Sequence, residues 1–246
     1  MRFASINGGT FTPAADIRGL LVTIPGSTNN FYSGIWCPTY RTFDNADKAP
    51  QARNSRAVYW KGVSEKMRIE GINANPLEFR RIVFSTPDRI QLAANAPATD
   101  QPSYGAEASN NRYWRTTGDG TMNLDYLQGV FAGTRGLDWR NPMTAKTDTS
   151  RVMIHSDRRF KVSSGNQTQP VKEISFYDSI ERNMTYDDDE NGGLILTNGW
   201  SEWSRRGKQQ NTYVILLAMS VNGGATAGQD TQFFHDIEST VYWHER

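Results

Sequence analysis

The feature that most constrains this fold is a series of short apolar, β-branched segments, with no stretch suited to a long amphipathic helix. Alternation of apolar and polar residues is typical of half-buried strands. Strand patterns occur over 17–24, 58–72, 77–84, 151–162, 172–177, 213–220 and 231–243. The last of these contains a slip in phase that predicts a β-bulge. The best helical candidate, 124–131, is short and ends near a glycine, so we expect one or two turns there.

Long polar stretches separate these strands, at 29–54, 88–120, 192–210 and 222–230. The turn residues at 73–76 predict a hairpin between the second and third strands. A sandwich that closes most of its own edges tolerates long inserted loops. We therefore predict an all-β fold: a single jelly-roll sandwich of about eight antiparallel strands, with one or two short helices. The 246 residues fit one such domain over 1–246, with 1–16 as an N-terminal extension.

Several classes of protein are disfavoured by what the sequence lacks. The chain has one cysteine, Cys37, which is incompatible with an intramolecular disulfide framework or a zinc site of several thiolates. Its neighbours Trp36 and Pro38 favour burial and packing. The longest apolar run, 213–219, is far shorter than a membrane helix requires. The first residues contain no secretory signal pattern, so secretion is not expected.

Catalytic motifs are also missing from the sequence. The three histidines have no metal-binding spacing, and there is no G-x-S-x-G elbow, P-loop or dinucleotide fingerprint. We therefore predict a protein that is not an enzyme and needs no cofactor. The acidic run 187–190, followed by Asn191, Gly192 and Gly193, could hold Ca²⁺. Contact of this loop with basic residues of a neighbouring copy is the interpretation we prefer.

Charge is unevenly distributed, although the formal net charge is only +1. Residues 140–172 contain seven basic and two acidic residues, whereas 173–190 contain seven acidic and one basic. Blocks of opposite charge on one chain suit contact between identical copies. Two separate solvent-exposed faces would give the same sequence pattern. The candidate intersubunit residues are Asp187, Asp188, Asp189 and Glu190 on the acidic side and Arg158 and Arg159 on the basic side.

One ordered set of motifs resembles a known family. Residues 59–69 (YWKGVSEKMRI) and 78–84 (EFRRIVF) are similar to paired segments in the capsid proteins of genomoviruses, fungus-associated viruses with circular single-stranded DNA. The resemblance continues, in order, through 127–133, 138–139, 146–152, 156–157, 164–166, 186–192 and 241–246. It implies a jelly-roll coat protein whose partners are identical copies in a small icosahedral shell and a single-stranded DNA genome. It implies that the protein does not associate with a membrane. It also implies a location in the virion and, during assembly, in the host nucleus.

Members of that family open with an arginine-rich arm, whereas residues 1–13 here contain only Arg2. Either such an arm lies outside this sequence, or the folded shell contacts DNA. Arginine outnumbers lysine 20 to 7, and arginine binds phosphate in bidentate fashion. The basic candidates are Arg2, Arg18, Arg41, Lys48, Arg53, Arg56 and Lys61, with Tyr59, Trp60 or Phe31 as stacking platforms. Ion pairing between subunits is the alternative for each arginine, and a carbohydrate-binding β-sandwich or glycoside hydrolase is the alternative function.

Overall fold

The computed structural model places thirteen strands and one helical turn within the part of the chain that it describes. The described residues are 4–7, 10–13, 20–24, 31–41, 53–73, 75–87, 115–116, 125–163, 169–186, 190–191, 194–195, 210–221 and 230–245. The elements are β1 (Ala4–Asn7), β2 (Thr10–Pro13), β3 (Leu20–Ile24), β4 (Tyr32–Trp36), β5 (Ala57–Gly71), β6 (Leu77–Thr86), β7 (Arg115–Thr116), α1 (Asp125–Gln128), β8 (Met153–Val162), β9 (Val171–Thr185), β10 (Glu190–Asn191), β11 (Leu194–Ile195), β12 (Asn211–Ser220) and β13 (Thr231–Glu245). The turn α1 confirms the short helix predicted at 124–131.

Two antiparallel sheets pack against each other. The five-stranded sheet has the order β7-β4-β12-β6-β8, and the four-stranded sheet has the order β3-β13-β5-β9. The two large sheets contain nine strands, of which β7 has only two residues. When the other eight strands of these sheets are lettered B to I in chain order, the sheet orders are C-H-E-F and B-I-D-G. This strand order defines a jelly roll, so the predicted fold class is confirmed. The pairs β1–β2 and β10–β11 form small separate hairpins.

The main core lies between the sheets. Met67 and Phe233 of the four-stranded sheet meet Phe79 and Val83 of the five-stranded sheet in one buried cluster. The rings of Phe79 and Phe233 are 5.3 Å apart and nearly perpendicular. Because each such side chain contributes about 1.5–3 kcal/mol when it is buried, this cluster provides the main hydrophobic stabilisation of the sandwich.

The outer face of the five-stranded sheet is also covered, by the segment 125–152. Phe84 and Ile215 point away from the main core and join a second buried cluster with Phe131, Trp139 and Met143 of that segment. The strands β6 and β12 are therefore buried on both faces almost throughout. This explains why β12 contains a continuous apolar run, 213–219, rather than an alternating pattern, whereas β6 also contains the buried arginines Arg80 and Arg81.

Arg81 on β6 connects the two sheets through buried ion pairs. Its guanidinium lies 2.6 Å from Glu65 of β5 and 2.7 Å from Asp178 of β9, and all three side chains are almost fully buried. The Trp36 indole and the Ser239 hydroxyl donate hydrogen bonds to the other oxygen of Glu65. Burial alone lowers the pKa of Arg81, but the two carboxylates outweigh burial and raise it. The cation is thus paired with two carboxylates at the centre of the sandwich.

Arg80, the preceding residue, points to the opposite face and holds the covering segment. It donates a bidentate pair of hydrogen bonds, of 2.9 and 2.6 Å, to Asp157 of β8. It also donates to the backbone carbonyls of Pro142 and Ala145, and it lies 5.0 Å above the ring of Phe131. The two adjacent arginines therefore fix three layers in register, because alternate residues of a strand face opposite sides.

Three predictions about the strands need correction. The bulge predicted in β13 is wrong, because β13 pairs with β5 continuously from Phe233 to Tyr242 and the extra residue at the shift is Lys61 of β5. The turn at 73–76 does not close a hairpin, because β5 pairs with β13 and β9 whereas β6 pairs with β12 and β8. The chain crosses there from one sheet to the other. In addition, the stretch 29–54, predicted as polar and loop-like, contains β4, whose five residues are all buried. A strand this short, buried on both faces, has no alternation by which it could be detected.

Candidate nucleic-acid interface

Most of the residues predicted to contact nucleic acid come together at one end of the sandwich, where β5 begins and β13 ends. The six that meet there are Arg41, Arg53, Arg56, Tyr59, Trp60 and Lys61. Arg2, Arg18 and Lys48 lie outside the described residues. Phe31 lies elsewhere, partly buried against the second core cluster with the guanidinium of Arg135 5.9 Å above its ring.

A double bulge at Lys61 shapes this end of the four-stranded sheet. The register of β5 shifts between Trp60 and Gly62 against both of its neighbours, so Lys61 has no direct partner on either side. On β9 the shift is accompanied by Glu181, a non-glycine residue with a φ of +44°. Gly62 is required because an added Cβ would lie 2.6 Å from the backbone oxygen of Asp178. Bulges of this kind bend a strand and redirect its side chains, and here Lys61 is exposed.

Beneath the bulge, Arg53, Trp60 and Tyr186 form a buried cluster. The Arg53 guanidinium lies 4.0 Å from the centre of the Tyr186 ring and donates a hydrogen bond to the backbone oxygen of Arg41. The Trp60 indole donates to the Tyr186 hydroxyl over 3.0 Å, and that hydroxyl donates to the backbone of Thr39. Trp60 is fully buried, so neither face of its ring is open to a base in this chain.

Arg41 completes the buried cluster on the side of β13. Its guanidinium lies 5.9 Å from Trp60 and 5.3 Å from Trp243, and only 2% of the residue is exposed. Cation–π contacts of this kind are strongest when they are shielded from water. Arg41, Arg53 and Trp60 therefore support the end of the sheet from inside, whereas Arg56 and Lys61 are at its surface.

The outer surface above this cluster is rich in rings. Tyr59 and His244 are stacked, with centroids 6.3 Å apart and planes 16° apart. Tyr177 and Tyr242 lie 6.4 Å apart and are 49% and 46% exposed. These four residues and Lys61 are called the aromatic patch below.

Three members of the patch were not predicted as binding residues from the sequence: Tyr177, Tyr242 and His244. Each occupies an outward position of a strand whose alternate residues are buried. An aromatic residue in the polar phase of an alternating strand was the available signal. Tyr59 and Lys61 were predicted as binding residues, and the fold places them beside the other three through the register of β5 with β9 and β13.

The residues predicted for intersubunit contact occupy a different region. Arg158 and Arg159 are exposed on β8, which lies at one edge of the five-stranded sheet. Arg158 lies 5.6 Å above the ring of Phe176, and neither arginine forms an ion pair within the described part of the chain. Of the acidic run, Asp187, Asp188 and Asp189 lie outside the described residues, and the backbone of Glu190 begins β10.

The described ranges contain no group of three or more histidine, cysteine or acidic residues that could hold a metal ion. They also contain no helix of sufficient length and apolarity to cross a membrane. Cys37 is buried, as its neighbours predicted.

Comparisons with known proteins find solved virus structures that are similar to this chain only at a low level. No family model matches it, and no curated protein matches it. The empty top component of cowpea mosaic virus is 9% identical with a TM-score of 0.28, covering 90% of this chain and 84% of that one. Broad bean stain virus is 10% identical with a TM-score of 0.26, covering 94% and 93%. A marine algae virus of the order Picornavirales is 10% identical with a TM-score of 0.25, covering 90% and 75%. Because these scores are low, assignment of the jelly roll depends on the strand order of this chain itself.

Proposed function

We propose that this chain is a viral capsid protein, not an enzyme, whose identical copies assemble into a small icosahedral shell around circular single-stranded DNA. The observation that carries the proposal is the C-H-E-F and B-I-D-G strand order, combined with the ordered motifs that resemble genomovirus capsid proteins. Jelly rolls of this kind occur in viral capsids, lectins and cupins, so the fold alone does not decide among them.

The motifs that carry the resemblance occupy structural positions in the fold. The two arginines of EFRRIVF are Arg80 and Arg81, which hold the covering segment and the opposite sheet. The motif 59–69 spans the double bulge and includes Glu65, the main carboxylate partner of Arg81. A rigid sandwich of this kind suits a coat protein, because each copy must present fixed surfaces to several neighbours.

The alternative function, glycoside hydrolysis, has less support in the described residues. Glycosidases need two carboxylates that face each other across an accessible cleft. Glu65 and Asp178 are close together, but both are buried and bound to Arg81. They serve the packing of the sheets and are shielded from a sugar substrate.

Contact between copies is assigned, within this proposal, to the basic edge strand β8 and the acidic run 187–190. Arg158, Arg159 and Lys161 are exposed on β8 and carry no ion pair in the described part of the chain. Opposite charges on one chain provide head-to-tail complementarity between copies. A variant with Asp188→Lys and Asp189→Lys should keep its fold by circular dichroism and lose assembly. Unaltered particles from that variant would remove the acidic run from the interface.

Negative-stain microscopy of the purified protein, with the ratio of absorbance at 260 and 280 nm, tests the proposal. Uniform spherical particles with a raised 260 nm signal are expected. Particles without that signal would contradict enclosure of DNA by these residues. A monodisperse monomer at high concentration and physiological salt would contradict the capsid assignment and favour the carbohydrate-binding alternative, which a glycan array would then check.

A chelator added to the particles tests how the acidic run 187–190 makes its contact. Particles joined by salt bridges there should survive the chelator, whereas particles that depend on Ca²⁺ should dissociate.

A further inference from the structure

The outer face of the four-stranded sheet has two chemically different halves. In one half, Arg68 lies 3.5 Å from Glu70 and 3.8 Å from Glu173, and Lys66 stands opposite Glu238 in the register of β5 and β13. Opposite charges balance each other there. The other half is the aromatic patch, whose one lysine, Lys61, is exposed and has no ion pair in the described part of the chain.

The patch has the composition of a stacking surface. Its rings belong to tyrosine and histidine, which combine a flat apolar face with a polar tip. The outward positions between them carry small hydroxyl side chains, namely Ser64, Ser179 and Thr240. Within the described residues no aliphatic side chain is exposed among them, whereas the buried centre of a protein–protein interface is markedly apolar.

We infer that the aromatic patch binds single-stranded nucleic acid, with unpaired bases stacked on Tyr177 and Tyr242 and a backbone phosphate at Lys61. The inference rests on the proposed function and assigns its nucleic-acid contact to the outer face of the four-stranded sheet. Base stacking on aromatic side chains with a nearby cation is the general chemistry of single-strand binding without sequence preference. The stacked pair Tyr59 and His244 extends the same surface toward the end of β13.

Fluorescence anisotropy with a labelled oligo(dT) strand tests this inference on the full chain. The double variant Tyr177→Ala, Tyr242→Ala should bind about tenfold more weakly or worse. The double variant Tyr177→Phe, Tyr242→Phe keeps both rings and should bind as the unmodified chain does. Lys61→Ala should reduce the slope of log K against log salt concentration by about 0.7, the loss expected for one phosphate contact. Lys66→Ala, on the same face and strand, is the matched control and should leave that slope unchanged.

The outcomes separate this inference from the proposed capsid function. Ring-dependent binding supports the inference even if no particle forms. Equal affinity of the unmodified chain and the double alanine variant overturns it, as does the absence of any binding to oligo(dT). The inference would also be overturned if the double alanine variant bound oligo(dT) normally but failed to assemble. The patch would then be a contact between copies. If Lys61→Ala and Lys66→Ala weakened oligo(dT) binding equally, the effect would be one of net charge, and the assignment of a phosphate contact to Lys61 would be overturned.

Discussion

On the five-stranded sheet, β6 and β12 are buried along almost their whole length, whereas on the four-stranded sheet β9 and β13 alternate between buried and exposed residues. The difference arises, among the described residues, from the segment 125–152, which covers the outer face of the five-stranded sheet. Residues on the covered face are constrained by packing on every side. Residues on the open face are constrained on one side, so the outward positions there are available for binding.

The comparison also shows where polar groups are used in each sheet. On the covered side, Arg80 is almost fully buried and every contact it makes holds the chain together. On the open side, Lys61 and the rings of Tyr177 and Tyr242 contact water. We therefore expect substitutions on the covered side to reduce stability and substitutions on the open side to reduce binding.

The largest expected effect is from Arg81→Met, which leaves two buried carboxylates without their cation. We expect a loss of about 3–5 kcal/mol in the free energy of unfolding, because an unpaired buried charge is strongly destabilising. Urea denaturation measures the change. Arg68→Met removes an ion pair that is half exposed and should cost less than about 1 kcal/mol. Similar losses for both variants would show that the buried triad does not join the sheets as described.

The covering segment can be tested by Met143→Ala. Met143 is almost fully buried in the second core cluster, so its truncation should destabilise the chain by about 2–5 kcal/mol. On the open face, Tyr177→Ala should cost about 1 kcal/mol or less, since half of that side chain is already in water. Thermal and urea unfolding of the two variants would contradict the comparison if the losses were equal.

Most strands of both sheets were predicted from the sequence, although β9 was predicted only over 172–177 of Val171–Thr185. The alternation in β5 and β13 was visible, but the bulge predicted in β13 is wrong, because the extra residue at the register shift is Lys61 of β5. The short β4 was missed, and β5 and β6 were wrongly joined as a hairpin, because neither sheet membership nor double burial leaves a local pattern. The candidate site was predicted in part. Local composition was sufficient to predict Tyr59 and Lys61, but Tyr177 lies beside them only because β5 and β9 pair across more than 100 residues of sequence.

Stability should depend on pH through His235, which connects the open sheet to Tyr32 of the covered one by a hydrogen bond of 3.2 Å. Burial lowers the pKa of His235 from 6.5 to about 4. Between these values the unfolded chain binds the proton and the folded chain does not, so stability is present above pH 6.5 and is lost as the pH falls toward 4. The loss attributable to this residue is about 3 kcal/mol.

The matched variant for this prediction is His235→Gln, which keeps a polar group beside Tyr32 but does not titrate. Urea denaturation from pH 7 to pH 4 should show a smaller decline for the variant, because carboxylates contribute equally to both proteins and cancel in the difference. Parallel curves would contradict the prediction, because they would show that folding does not change the pKa of His235.

The smallest expected effect concerns the strained residue beside the aromatic patch. Glu181 has a φ of +44°, a conformation that costs a side-chain-bearing residue about 1–2 kcal/mol. Glu181→Gly removes that cost but gives the unfolded chain about 0.5–1 kcal/mol of extra conformational freedom, so the net gain in stability should be about 0.5 kcal/mol. Asn183→Gly, an exposed position on the same strand without a positive φ, should instead lose about 0.5–1 kcal/mol. Opposite signs in urea denaturation would locate the strain at the bulge, and equal losses would show that the sheet bends there without strain at Glu181. If Glu181→Gly also weakens binding of oligo(dT), the bulge fixes the position of Lys61 and is part of the binding surface as well as of the fold.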